Sequence, residues 1–265
     1  MTGLVALLAE AESHPVEGWD FSWLGQRAVT ELLPWDFAAI VEREAQDADE
    51  LLDLGTGGGE WLASLAIRPS RTVATEAWPP NVNVARRRLE PLGVEVVAVD
   101  AAPDNIDQPP GLTSPALPFQ SESFSLVVSR HESYLAAEVA RVLRPGGIFL
   151  TQQMGGDPNG FRAALGLEPV EYTEFNAPLA RTQLEEAGLQ VFGTESGAAA
   201  TTFADAGAFA YWLRAIPWLI EDFSISAFGS ELASLEQRLA TEAPLRIEQA
   251  VFLVEAAKPG SRDGR

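Results

Sequence analysis

The sequence predicts an α/β fold built on a mostly parallel sheet. Three observations lead there. Apolar strand-like runs alternate with helix-period segments from about residue 50 to 154, the signature of successive βαβ units. The first strand runs straight into a loop with four glycines in five positions, Leu51 to Trp61 reading LLDLGTGGGEW. The chain is 265 residues long and 46% apolar, enough for one large core with a smaller lobe.

Taken in order, MTGLVALLAEAESH reads as a short amphipathic helix; Glu10 and Glu12 and the lack of a basic start argue against a signal peptide. Residues 18–46 carry Trp19, Phe21, Trp23, Trp35 and Phe37 at helix-like spacing, with Pro34 as an interruption, and are expected to form a helical cap over 1–47. Strands are expected at 50–54, 71–76, 94–99, 124–129 and 147–153, with helices at 59–67, 80–91 and 135–143 between them. The proline-rich stretch 101–118 is a long loop on the ligand side of the sheet. Arg144-Pro145-Gly146-Gly147 ends a helix and turns into the fifth strand. Beyond 154 the pattern gives helices at 158–166, 179–187, 205–216 and 229–241, and strands at 189–194 and 247–256 that close the sheet as an antiparallel pair. Residues 195–245 then form a helical, aromatic insertion, and 258–265 a disordered tail.

Composition removes several classes of function. Cysteine is absent, so there is no disulfide, thiolate metal site or cysteine nucleophile. Two histidines, His14 and His131, do not make a multi-histidine metal site, and no metal is expected. No apolar run is long enough to cross a membrane, and a cytoplasmic location is expected. A net charge of −20 disfavours nucleic acid as partner; the one basic run, Arg86 to Arg88, reads as a solvated helix face.

Glycines without Cβ atoms let a ligand lie against the backbone after the first strand. A dinucleotide loop needs G-x-G-x-x-G, and here Gly55-x-Gly57 is followed by Glu60 at the third position. A carboxylate there suits the helix dipole and repels a pyrophosphate. No phosphate-binding G-x-x-x-x-G-K-[ST] loop occurs. The site suits a nucleoside without phosphates that carries positive charge.

Read as Asp53-x-Gly55-x-Gly57-x-Gly59, the loop resembles the first motif of class I S-adenosylmethionine-dependent methyltransferases. RTVATEAW with Glu76 at the second strand end, VVAVDAAPDN with Asp100 and Ala101 at the third, FSLVVSR preceded by LPFQSESF, and RVLRPGG are similar, in order and spacing, to the small-molecule, type-11 branch of that family. The resemblance implies a Rossmann-like sheet of about seven strands, mostly parallel with an antiparallel last strand and helices on both faces, in a methyltransferase domain over 48–257. It implies S-adenosyl-L-methionine as cofactor, held by Asp53, Gly55, Thr56, Gly57, Gly59, Glu76, Ala77, Asp100, Ala101 and Ser129. Glu76 would accept the ribose hydroxyls, Asp100 the adenine amino group, and the Ala101 backbone would meet the ring. Each acid has an alternative role as a helix cap.

His131, in Ser129-Arg-His-Glu-Ser-Tyr134, follows the fourth strand where the family faces the transferring methyl. It is a candidate general base, with the alternative that it only shapes the loop. Tyr134, Tyr211, Trp212 and Trp218 join His131 as candidate acceptor-binding residues, the aromatic ones with helix packing as the alternative. The activity expected is methyl transfer to an O or N atom of a small organic acceptor. An RNA or protein methyltransferase of the same fold, or a non-catalytic S-adenosylmethionine-binding protein, are the alternatives. An Asn/Asp-Pro-Pro-aromatic motif after strand four is absent, and so is a clear Asp/Asn cluster for a magnesium-dependent catechol site. The acceptor and the oligomeric state are not legible.

Overall fold

A computed structural model of the chain describes residues 2–99, 102, 104–106 and 116–260. The elements run α1 (Thr2–Ser13), a 3-10 turn (Ser22–Arg27), β1 (Ala28–Thr30), α2 (Phe37–Ala45), β2 (Glu50–Leu54), α3 (Glu60–Ser64), β3 (Arg71–Glu76), α4 (Pro79–Leu89), a second 3-10 turn (Glu90–Leu92) and β4 (Glu95–Ala98). There follow β5 (Phe124–Arg130), α5 (Ala136–Val142), β6 (Leu143–Met154), α6 (Asn159–Ala164), α7 (Ala177–Glu186), β7 (Gln190–Phe203), α8 (Ala206–Ala215), α9 (Gly229–Leu239) and β8 (Leu245–Ala257). The strand order is β1-β7-β8-β6-β5-β2-β3-β4. Neighbours from β6 to β4 are parallel; β8 is antiparallel to β6 and β1 to β7. This is the mixed, mostly parallel Rossmann-like sheet that the sequence predicts, with antiparallel strands at its C-terminal side.

The chain divides into two compact units. One comprises Pro34–Gly155, Phe175–Gly197 and the chain from Val251 on, as far as these are described. It holds all the parallel strands. Side chains alternate across them: Leu51, Leu126, Val128 and Leu150 face a cluster with Phe37, Val41, Leu62 and Leu89 of α2, α3 and α4. Leu52, Val127 and Phe149 face the opposite cluster, with Val139 of α5 and Leu184 of α7. The period of two along each strand thus places helices on both faces.

The other unit comprises the chain up to Leu33, Gly156–Glu174 and Ala198–Ala250. Its core gathers Leu24, Phe161, Phe203, Phe209, Tyr211, Leu232 and Leu235. Asp205 caps α8 by accepting from Ala208 N at 2.8 Å and is gripped by Arg27 through two 2.8 Å hydrogen bonds.

Four details differ from the sequence expectation. The sheet has eight strands rather than about seven, because Ala28–Thr30 leaves the helical pattern to pair with Thr201–Phe203, Thr30 and Thr201 sharing a 2.9 Å hydroxyl bond. The strand expected at 189–194 continues to Phe203, so the helical insertion starts after that residue and not at 195. Residues 34–45 belong with the parallel strands and not with the N-terminal cap, since Phe37, Val41 and Ala45 pack under β5 and β6. Lys258, assigned to a disordered tail, is bonded: its backbone pairs with Gly146 and Gly147 and its ammonium donates to Leu143 O at 2.8 Å. Residues 261–265 of that tail lie outside the described residues. Among the described residues, no helix is long and apolar enough to cross a membrane.

Candidate active site at the carboxyl ends of the parallel strands

β2 ends in Asp53 and Leu54, and the chain then turns through Gly55, Gly57 and Gly59, whose φ angles are +67°, +62° and +78°. L side chains avoid this region, which explains glycine at these three positions. The loop is tied to β3: Gly55 N donates to Thr75 Oγ1 at 3.1 Å and Thr56 N to Thr75 O at 2.8 Å. A Cβ on Gly55 would lie 1.9 Å from Cγ of Glu132, so the loop after β5 rests directly on the glycine turn.

Three carboxylates converge on this loop from three strand ends. Asp53 is 2% exposed, and neither its Oδ2 nor Thr56 Oγ1 has a hydrogen-bond partner among the described residues. Burial pushes the Asp53 carboxyl from its ordinary 3.8 up to about 7; the adjacent Thr56 hydroxyl and Arg130 guanidinium pull the other way, while Glu76 and Glu132 push with the burial. Glu76, at the end of β3, is also raised by burial, although Oε1 accepts from Trp78 N at 2.8 Å. Burial, with the charge of Glu76, lifts Glu132 to about 7.

Beside them is a cleft of about 430 Å³, counted to its open mouth, lined by Leu54, Gly55, Thr75, Ala77, Val99, Ala102, Leu117, Glu132, Ser133 and Tyr134, with Leu135, Glu138 and Val139. Its mixture of backbone, apolar side chains and a few acids is that of a small-molecule site. The end of the proline-rich loop is clamped to it. Glu138, 3% exposed, accepts from Leu117 N at 2.7 Å and pairs with Arg141, which in turn donates to Leu117 O and Phe119 O. Asn105 accepts from Tyr134 N at 3.1 Å.

The structure brings Asp53, Gly55, Thr56, Gly57, Gly59, Glu76, Ala77 and Ser129 to one end of the sheet. Ser129 is fully buried and holds the following loop, Oγ donating to Glu132 O at 3.0 Å. Asp100 and Ala101 lie outside the described residues. Tyr134 contributes to the cleft wall, yet its ring packs edge-on against Phe149 in the core. Glu60, expected as a bare repelling charge, is paired with Arg88 at 2.5 Å, so the arginine run does not simply face solvent.

Tyr211, Trp212 and Trp218 belong to the other unit. Tyr211 is 1% exposed and donates its hydroxyl to Pro15 O at 3.0 Å, a packing role. Trp212 stacks on Phe21, and Trp218, 68% exposed, meets Trp19 edge-on. Glu132 is the site residue that sequence reasoning underrated. Its place over Gly55 is a tertiary contact, and the one signal for it was an acid in the loop after the fourth strand.

His131 sits at φ +61°, its backbone N–H donating to Gln152 O at 2.8 Å. Its ring lies 3.0 Å from Gln152 Nε2. Packing of protein around it and the charge of Arg130 hold its pKa well below the ordinary 6.5.

Comparison with known proteins agrees with this geometry. A model of a methyltransferase domain family matches residues 52–151, the span from β2 to β6. A fatty-acid O-methyltransferase of Mycolicibacterium smegmatis is 33% identical over 103 residues, which are 36% of this chain and 33% of that protein, so the match spans about a third of the relative's length. Among solved structures, a candidate methyltransferase from Bacillus halodurans C-125 superimposes with a TM-score of 0.56 at 18% identity, over 84% of this chain and 99% of that one. The [4+2]-cyclase SpnF does so with a TM-score of 0.51 at 17% identity, over 98% and 93%. At these identities the structures establish the fold. Motif order, strand order and the family match agree: residues 52–151 are similar to a methyltransferase domain, and the chain has the Rossmann-like fold of such proteins.

Proposed function

We propose that this protein transfers a methyl group from S-adenosylmethionine to an oxygen of a small, largely apolar organic acceptor. The observation that carries the cofactor half is Asp53: a buried carboxylate with an unpartnered oxygen, beside Glu76 and Glu132 and a glycine turn. An anionic, partly dry cleft of this kind fits a nucleoside bearing positive charge and opposes one bearing phosphates. Asp53 and the turn would hold the methionine end, and Glu76, at the end of β3, would take the ribose hydroxyls. Asp100 and Ala101 are assigned to the adenine on the sequence motif alone. When bound, S-adenosylmethionine supplies an electrophilic methyl on a sulfonium. The protein's contribution is alignment of the acceptor oxygen with that methyl and exclusion of water, which need no covalent step.

The acceptor half is supported by two facts. A net charge of −20 opposes a nucleic-acid acceptor. The relative that matches over a third of its length acts on fatty acids, which are apolar and oxygen-bearing.

Calorimetric titration with S-adenosylhomocysteine tests the cofactor half. Wild type should bind, and Glu76→Ala should bind roughly 10- to 100-fold more weakly, the loss of one charge-assisted hydrogen bond, with unchanged thermal unfolding. Equal affinity in the variant would remove Glu76 from the site, and no binding by wild type would overturn the function.

A further inference from the structure

In the sequence His131 is a candidate proton acceptor, with shaping of its loop as the alternative. Three side chains argue for the opposite polarity. Trp35 precedes α2, Gln152 lies on β6 and is 3% exposed, and His131 follows β5. The indole Nε1 of Trp35 is 2.8 Å from Gln152 Oε1. An indole N–H can only donate, so the amide atom facing it must be the oxygen. The other end of the amide, at 3.0 Å from His131 Nε2, is then the NH₂ group, which also can only donate. His131 Nε2 must therefore present its lone pair, and in the neutral ring the proton resides on Nδ1. The ring is held by its backbone as well, since His131 N donates to Gln152 O from a left-handed conformation.

The ring's one lone pair is thus engaged with a buried amide. Its free group is an N–H, for which no acceptor exists among the described residues. Beside it in sequence is Arg130, whose guanidinium lies 5.7 Å from the centre of the Trp61 ring and makes no ion pair among the described residues. An N–H donor next to a guanidinium that feels Asp53 but forms no ion pair among the described residues recognises an anionic oxygen.

We propose that Trp35 and Gln152 lock His131 as the Nδ1–H tautomer, and that His131 and Arg130 together select an acceptor that carries a carboxylate. This rests on the methyltransferase reading above and names its acceptor class. A carboxylate needs no base: its oxygen lone pair forms the new bond to the methyl carbon, the carbon–sulfur bond breaks with its pair remaining on sulfur, and an ester and a neutral thioether result. No proton is released. The charge of the acceptor and the charge of the sulfonium cancel, so a histidine that cannot accept a proton is no handicap.

The direct test is long-range proton–nitrogen NMR on protein labelled with ¹⁵N histidine. The only other signal is His14. For His131 the account predicts a protonated Nδ1 and a bare Nε2, unchanged between pH 5.5 and 8, with Arg130 the charged group that acts on the ring. A protonated Nε2, or an imidazolium at pH 7, would overturn the tautomer. In Gln152→Glu both carboxylate oxygens accept, so the proton should move to Nε2. If that variant fails to fold, Trp35→Phe removes only the orienting donor and should give a mixture of tautomers; an unmixed Nδ1–H state would contradict the relay.

The acceptor class is tested with apolar carboxylates, phenols and amines as substrates. Carboxylates should be methylated, and His131→Ala should raise their KM about tenfold or more, the loss of one charge-assisted hydrogen bond. Methylation of amines or phenols with carboxylates inert would overturn the acceptor class. Loss of S-adenosylhomocysteine binding with the tautomer intact would contradict the function alone, and a reversed tautomer in a protein that binds the cofactor would contradict this inference alone.

Discussion

Two aspartates in this molecule, Asp53 buried and Asp205 partly so, have opposite fates. Asp205 sits at the start of α8, where burial would raise its pKa, but two bonds from Arg27 and the N–H groups of α8 outweigh burial and hold the carboxyl below its ordinary value. Asp53 sits at the end of β2, where burial wins and the carboxyl rises to about 7. The protein satisfies the first completely and leaves an oxygen of the second without a partner. Burial is deeper at Asp53, and the fold supplies positive charge differently: Arg27 bonds Asp205 directly, whereas Arg130 acts on Asp53 without forming an ion pair with it. The carboxylate left unsatisfied at a strand end is the proposed place for a ligand, and the satisfied one is part of the scaffold.

The comparison can be broken most forcefully at the scaffold. Asp205→Ala removes the cap of α8 and strands Arg27, and should destabilise the protein by about 3 kcal/mol, read as a lower urea midpoint. Affinity for S-adenosylhomocysteine at full folding should stay within about twofold. A variant as stable as wild type would mean that the Arg27–Asp205 pair is not structural.

A smaller effect sharpens the same contrast through pH. The folded-state pKa values of Asp53 and Glu132, about 7, exceed their ordinary 3.8 and 4.5. Between these limits the folded protein keeps protons that the unfolded chain has lost. Their contribution is therefore fully present below about pH 4 and is lost as pH rises through 7. Asp205, with its lowered pKa, has the opposite sign: its stability is present above its ordinary pKa and lost as pH falls through the folded value. Free of cofactor, the protein should lose stability in urea unfolding from pH 5.5 to 8, and Asp53→Asn should lessen that slope. A stability that rises over this range, with the same slope in the variant, would show that Asp53 is not the buried acid described.

The parallel half of the fold was legible because its strands carry apolar runs marked off by glycine, proline or a helical pattern. β2, β3 and β5 fall within a residue of their expected limits. β1 was not legible: three residues, Ala28 to Thr30, inside an aromatic helical pattern form a strand only because Thr201–Phe203 offers an edge. At the strand ends, Asp53, the glycine turn and Glu76 stand where the sequence places them, because their positions are set by sequence neighbours. Glu132 and the Trp35–Gln152–His131 chain were not, because they join residues 77 and 21 positions or more apart, and no local pattern encodes such a meeting. Tyr211 has the composition of a pocket wall, yet it is packed beneath Trp23 with its hydroxyl on Pro15.

We propose that the unpartnered Asp53 carboxylate meets the positive charge of S-adenosylmethionine. The measurement that tests it most directly is the calorimetric affinity of wild type and Asp53→Asn for S-adenosylmethionine at pH 6 and pH 8. Wild type should bind more tightly at pH 8, where Asp53 is ionised, and Asp53→Asn should bind roughly 10- to 100-fold more weakly than wild type at pH 8, with most of the pH dependence gone. Equal affinity of the two proteins at pH 8 would contradict the claim.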